Sequence, residues 1–114
     1  MVVKRSEVWW ASLPDPIGSA TGYRRPVLIV QPDAFTRSRI RTIICAAITS
    51  NLLLAGASGN VRLSKSQSGL PKPSVINVSQ AIALDRNSLV ERVKAIDGRI
   101  LREVDEGLRL VLTL

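Results

Sequence analysis

The apolar residues of this chain change period once, and that change restricts the fold more than any other feature of the sequence. From Glu7 to Ile96 they come in short alternating or β-branched runs separated by Gly, Pro, Ser and Asp-Arg-Asn signals; after Asp97 they fall at Ile100, Leu101, Val104, Leu108 and Val111. A period of two buries one face of a strand, whereas spacings of three and four bury one stripe of a helix. The runs Glu7–Leu13, Pro26–Gln31, Thr42–Thr49, Asn60–Leu63, Ser74–Ser79, Ala81–Leu84 and Leu89–Ile96 therefore predict about seven short strands. Pro26 suits the first position of its strand, where a missing donor is tolerated. Asp97 predicts the N-cap of a closing helix. Such strands, with turn signals at intervals of roughly 8–12 residues and one terminal helix, predict a mainly β fold: a small, strongly bent barrel with a C-terminal α-helix over one opening. Pro14–Gly22, with two prolines and two glycines, is expected to be a flexible loop.

With 114 residues and neither repeats nor a linker, residues 1–114 are expected to form a single domain. No apolar run approaches the length of a membrane span, and the polar Ser6-Glu7 pair follows the N-terminus too soon for a secretory signal, so the expected location is cytoplasmic. The chain has no histidine and one cysteine, Cys45, in the middle of an apolar run. That composition excludes an internal disulfide, a Ser-His-Asp or Cys-His nucleophile, and a structural zinc site. Catalysis would have to use other groups, and no cofactor or metal is implied.

Sixteen basic residues against nine acidic ones give a net charge of +7, and the excess is unevenly placed. From Asp85 onward six acids (Asp85, Glu91, Asp97, Glu103, Asp105, Glu106) cancel six bases (Arg86, Arg92, Lys94, Arg99, Arg102, Arg109). Residues 1–84 set ten bases against Glu7, Asp15 and Asp33, and five of the ten are arginines between positions 24 and 41. Arginine outnumbers lysine twelve to four, which favours forked recognition of phosphate and makes a polyanion the first partner to consider.

Three stretches carry candidate chemistry. Gly22-Tyr23-Arg24-Arg25-Pro26 delivers two arginines from a Gly-rich loop to the start of a buried strand, an arrangement suited to anion binding as well as to flanking a strand with solubilising charge. Ile48-Thr49-Ser50-Asn51 ends an apolar strand in hydroxyl and amide groups, which either bind a ligand or form the turn. Asn77-Val78-Ser79-Gln80 places amides where they can read base edges or simply face solvent. Trp9 and Trp10 point to opposite faces, one to the core and the other free for a subunit contact or a stacked base. Asp105-Glu106 reads as helix surface.

Arg5–Leu13, Gly18-Ser19, Gly22–Gln31, Ile48-Thr49-Ser50, Ser74–Gln80 with Asp85-Arg86, and Val104–Leu108 resemble the MazF/PemK toxin family of bacterial toxin–antitoxin modules, nearly end to end. The resemblance implies an SH3-like barrel of the CcdB/MazF type, a homodimer, and a metal-independent endoribonuclease that cuts single-stranded RNA at short sequences. It also implies an acidic antitoxin that occupies the RNA groove. By position, Arg25 matches the family's catalytic arginine and Thr49 its catalytic threonine, with Ser19, Tyr23, Arg24, Gln31, Ser50, Asn77 and Gln80 as candidate RNA-binding residues and Pro14–Gly22 covering the RNA. Pro32 and the small-residue stretch from Asn51 to Gly59 depart from the family pattern near the expected groove, which bears on the sequence cut. Two other functions fit the same barrel: a non-catalytic CcdB-like toxin that binds DNA gyrase, and a plain single-stranded nucleic-acid binding module. The scarcity of aromatics, four in 114 residues, argues against the last.

Overall fold

The computed structural model describes residues 2–13 and 23–114; Pro14–Gly22, and with it the expected loop and Ser19, lies outside the described residues. The chain runs β1 (Glu7–Leu13), β2 (Tyr23–Ile29), α1 (Asp33–Thr36), β3 (Thr42–Thr49), β4 (Val61–Leu63), α2 (Lys65–Ser68), β5 (Ser74–Asp85), β6 (Leu89–Ala95) and α3 (Gly98–Leu112), with 3₁₀ turns at Leu52–Gly56 and Arg86–Ser88. The strands form one curled antiparallel sheet, a half-barrel in the order β4-β5-β3-β2-β1-β6. β2 and β3 lie in its middle, and their continuous apolar runs reflect burial on both faces. Leu28, Ala46 and Ile48 join Val8, Ile76 and the helix residues Ile100 and Val104 on one side. Val27, Ile29, Ile43 and Cys45 join Trp9, Ala11 and Leu89 on the other. Each such aliphatic side chain contributes roughly 1.5–3 kcal/mol by leaving water.

Two of the seven expected strands, Ser74–Ser79 and Ala81–Leu84, are halves of one strand, β5. The polar pair Ser79-Gln80 between them is a bulge: Ala46 pairs with Ala81 and the next residue, Ala47, with Asn77, leaving Val78, Ser79 and Gln80 without β3 partners. The side chain of Asn60 supplies the missing bond by accepting from the Val78 amide at 3.0 Å, and its own amide donates to the Leu54 carbonyl at 2.9 Å. A bulge of this kind bends and twists the sheet, so the long β5 can wrap the half-barrel. α2 was not expected. Its capping box is legible in Ser64 and Gln67, whose side chains and backbone amides bond reciprocally, but four residues leave no room for a helical apolar period.

α3 begins where the period changes. Asp97 accepts from the amides of Arg99 and Ile100, and those bonds hold its carboxyl below the ordinary value. At the other end, Gly107 sits flat against the turn that enters β4. A Cβ on Gly107 would lie 2.1 Å from the Gly59 carbonyl oxygen, and Gly59 itself adopts a left-handed φ of 87°. Asp105 is not free surface: with Arg5 it forms an ion pair that ties α3 to the N-terminal segment, and the Arg5 Nε also donates to the Val30 carbonyl at 3.0 Å.

Glu7 is the buried charge of the fold. Burial alone would raise its pKa, but donation from the Arg92 guanidinium (2.6 Å), the Lys4 amide (2.8 Å) and the Trp9 indole (3.1 Å) outweighs burial and leaves it below the ordinary 4.5. A carboxyl whose folded pKa is depressed adds stability that is complete above its unfolded pKa and vanishes as pH falls through the folded one. Stability measured by urea titration should therefore decline below about pH 4.5, and Glu7→Gln should flatten that part of the profile while lowering stability at neutral pH. Gly107→Ala should cost at least ~1–3 kcal/mol, because the atom it meets is rigid backbone, and a urea midpoint equal to that of the parent would contradict the close packing described here.

Candidate active site

Arg25 and Thr49 come together through strand register. In the β2–β3 pair Val27 faces Ala47; two residues further along each strand stand Arg25 and Thr49, on the same face because side chains alternate. Both line an open cavity of about 430 Å³, with Arg24 and Pro26 of β2, Ser50 just past β3, Trp10 of β1, and Leu70, Pro71, Lys72 and Ser74 at the entry to β5. Three of these residues are cations, and none is a carboxylate.

Each cation is held differently. Arg24 lies 5.5 Å over the Trp10 ring and pairs with Glu91 at 3.2 Å in an exposed contact, so part of its field is already cancelled. Arg25 is half-buried, pairs across β1 with Ala11, and has its guanidinium 5.8 Å over the Tyr23 ring. It has no ion pair among the described residues. Lys72 stands between Pro71 and Pro73, in a turn closed by donation from the Ser74 hydroxyl to the Lys72 carbonyl at 3.0 Å. Two prolines restrict the backbone there, which gives a mobile ammonium a fixed base.

The Thr49 hydroxyl has a defined polarity. Its oxygen accepts from the Asn51 amide at 3.1 Å, while the Asn51 side chain caps the 3₁₀ turn by accepting from Leu53. One lone pair is thus engaged, and the O–H proton is free to donate into the cavity.

Arg25 also borders a second cavity, of about 370 Å³, lined among others by Tyr23, Ser79 and Gln80 and again without a carboxylate. Tyr23, Arg24, Arg25, Thr49, Ser50 and Gln80 therefore cluster around one guanidinium. Asn77 lies apart from both linings: it is buried and accepts from the Ser79 hydroxyl at 2.8 Å, so it shapes the bulge that presents Gln80. Gln31 is also elsewhere. Its buried amide donates to the Thr36 hydroxyl at 3.2 Å and its oxygen accepts from the Ile44 amide at 3.2 Å, which spends both ends inside the fold. Lys72 is not among the candidates from sequence; of the Trp9–Trp10 pair, Trp9 is in the core and Trp10 lines the cavity. No local pattern marks Lys72, since only the β5 pairing carries it across to Arg25. Cys45 is buried and its thiol is pushed up to about 12 by burial.

Residues 4–112 match the model of the PemK-like, MazF-like toxins of type II toxin–antitoxin systems. The chain belongs to this family. It is 45% identical, over all of both chains, to endoribonuclease MazF6 of Mycobacterium tuberculosis, and 34% identical to endoribonuclease EndoA of Bacillus subtilis over all of this chain and 97% of that one. Among solved structures, a MazE–MazF complex from Deinococcus radiodurans superposes with a TM-score of 0.81 at 23% identity, covering 100% of this chain and 98% of that one. A mycobacterial endoribonuclease in complex with its cognate antitoxin superposes at 0.80 and 17%, covering 98% and 96%. At those identities the likeness shows the fold, and the MazF-type half-barrel with its C-terminal helix is the architecture found here.

Proposed function

We propose that this chain is the toxin of a type II toxin–antitoxin system and that it acts as an endoribonuclease, cutting single-stranded RNA at short sequences without a metal ion. The observation that carries this reading is the cavity that Arg25, without an ion pair among the described residues, lines together with Thr49, and whose described lining holds no carboxylate. The family match and the full-length relatives named as endoribonucleases favour cleavage over the gyrase-binding and plain binding alternatives.

RNA supplies its own nucleophile. The 2'-oxygen attacks the adjacent phosphorus, the bond to the 5'-oxygen breaks, and the proton released from the 2'-hydroxyl is matched by one taken up by the leaving oxygen. Products carry a 2',3'-cyclic phosphate and a 5'-hydroxyl. Negative charge grows on the phosphoryl oxygens in the transition state, and a fixed guanidinium there is worth roughly 3 kcal/mol or more. Arg25 is the stabiliser of that charge. Thr49 donates its free proton to a phosphoryl oxygen and orients the linkage; a hydroxyl that stays protonated at neutral pH is a poor base. Lys72 and Arg24 hold flanking phosphates, while Tyr23, Ser50 and Gln80 face the bases and sugar. DNA lacks the nucleophile and survives. The toxin works in the cytoplasm as a homodimer of single-domain chains, and its antitoxin is an acidic segment that lies along the same cations.

Incubation of purified protein with RNA and DNA in EDTA, followed by mapping of product ends, tests the chemistry: RNA alone should be cut, leaving cyclic phosphate ends. Arg25→Ala should lower kcat/KM at least about a hundredfold and keep the fold; Thr49→Val should lose activity that Thr49→Ser retains. A folded Arg25→Ala protein of full activity would remove Arg25 from the mechanism. In a competition experiment, the acidic antitoxin should displace bound RNA; simultaneous occupancy would refute the shared surface.

A further inference from the structure

The connection between β2 and β3 carries a second cluster of arginines at the far end of the strands that bear Arg25 and Thr49. β3 runs from Thr42 to Thr49, which at strand rise separates the two ends by roughly 20 Å or more. Arg37, Arg39 and Arg41 are all exposed, and none forms an ion pair among the described residues. The nearby carboxylates are committed elsewhere: Asp33 accepts from the Arg5 amide at 2.7 Å and Asp85 from the Asn87 amide at 2.8 Å.

The connection is braced. The Arg86 guanidinium donates to the carbonyls of Thr36 (2.6 Å) and Ile40 (3.1 Å), and the Arg86 amide donates to the Arg41 carbonyl at 2.9 Å. Between these groups lies a cleft of about 180 Å³ lined by Ser38, Arg39, Ile40, Arg41, Arg86 and Asn87, which combines three guanidiniums with a hydroxyl and an amide and includes no carboxylate. Phe35, the single phenylalanine of the chain, is 57% exposed on α1 at the edge of the same connection. Apolar burial gives no reason for an exposed phenylalanine among arginines, whereas stacking of an unpaired base does.

We propose that this connection is a second RNA-binding site, in which Arg37, Arg39 and Arg41 take backbone phosphates and Phe35 stacks a base, so that RNA long enough to leave the Arg25–Thr49 cavity is held at two places. The inference rests on the reading that the protein binds single-stranded RNA. Forked guanidiniums beside a lone aromatic suit a strand that alternates phosphate and base better than an acidic peptide, which offers no regular ring to stack.

Binding of 2'-O-methyl single-stranded RNA, which lacks the nucleophile and stays intact, tests the site in two lengths: one confined to the cavity and one that reaches past β3. Relative to the parent, R37A/R39A/R41A should bind the long RNA about tenfold or more weakly and lower its salt slope by about two, while its affinity for the short RNA stays within about twofold. Phe35→Ala should weaken long-RNA binding about fivefold with the salt slope unchanged. The charge-preserving R37K/R39K/R41K variant should keep the slope, and thermal unfolding should find all three variants folded. Equal losses on both lengths, parental binding of the long RNA by the alanine variants, or a loss confined to an acidic antitoxin would each overturn the proposal. A parent that binds neither length would overturn the RNA reading as well, whereas a parent that binds long RNA no better than its variants sinks this site alone.

Discussion

A slip of one residue between β2 and β3 would move Arg25 and Thr49 to opposite faces of the sheet, because side chains alternate along a strand. The register is held from both sides. Val27, Ile29 and Cys45 are buried against one cluster, Leu28, Ala46 and Ile48 against the other, and a slip would send the whole set of one strand to the wrong face. Gln31 adds a polar lock: its amide nitrogen donates to Thr36, its side-chain oxygen accepts from the Ile44 amide, and the Ile44 carbonyl accepts from the amides of Val30 and Gln31. A residue that resembles a ligand contact in the sequence is thus part of what holds the register of the two strands that carry Arg25 and Thr49.

Charge is distributed with the same economy of contacts. Where the protein needs rigidity, its arginines are paired: Arg92 with buried Glu7, Arg5 with Asp105, and Arg86 with backbone carbonyls. Among the described residues Arg25 has no carboxylate partner around the cavity, and Arg24 only an exposed one. An unpaired guanidinium in a partly enclosed space raises the local potential and leaves its fork for an incoming phosphate. The Asn51 amide engages the Thr49 oxygen as an acceptor, which leaves the proton of that hydroxyl available for donation. Arginines 37, 39 and 41 repeat the unpaired pattern at the other end of β3, on a connection that Arg86 keeps in place.

The sequence disclosed those elements whose cause is local. The change of period at Asp97 placed the helix, and the runs around Trp9, Leu28 and Cys45 placed the strands, because burial pattern and cap chemistry are written in neighbouring residues. Arg25 and Thr49 were reached through resemblance; composition and spacing alone left their stretches open between ligand binding and strand-end structure. The division of β5 into two runs missed the bulge because Ser79-Gln80 has the composition of a turn, and only the carboxamide of Asn60, remote in sequence, shows that the strand continues. Asp105 read as surface for a similar reason: its partner, Arg5, is at the other end of the chain.

What this sequence determined by itself is a half-buried sheet, one closing helix, an excess of arginine in the first part of the chain and the absence of imidazole from any mechanism. Tertiary structure decided which of those arginines stand unpaired and together. Lys72 joins Arg25 only because β5 pairs with β3, and Gln31 leaves the candidate site because its side chain is spent on Thr36 of α1 and on the Ile44 amide of the neighbouring strand β3. Proximity between residues distant in the chain depends on strand order and register, and these are fixed by the packing of both faces at once rather than by any local run of residues.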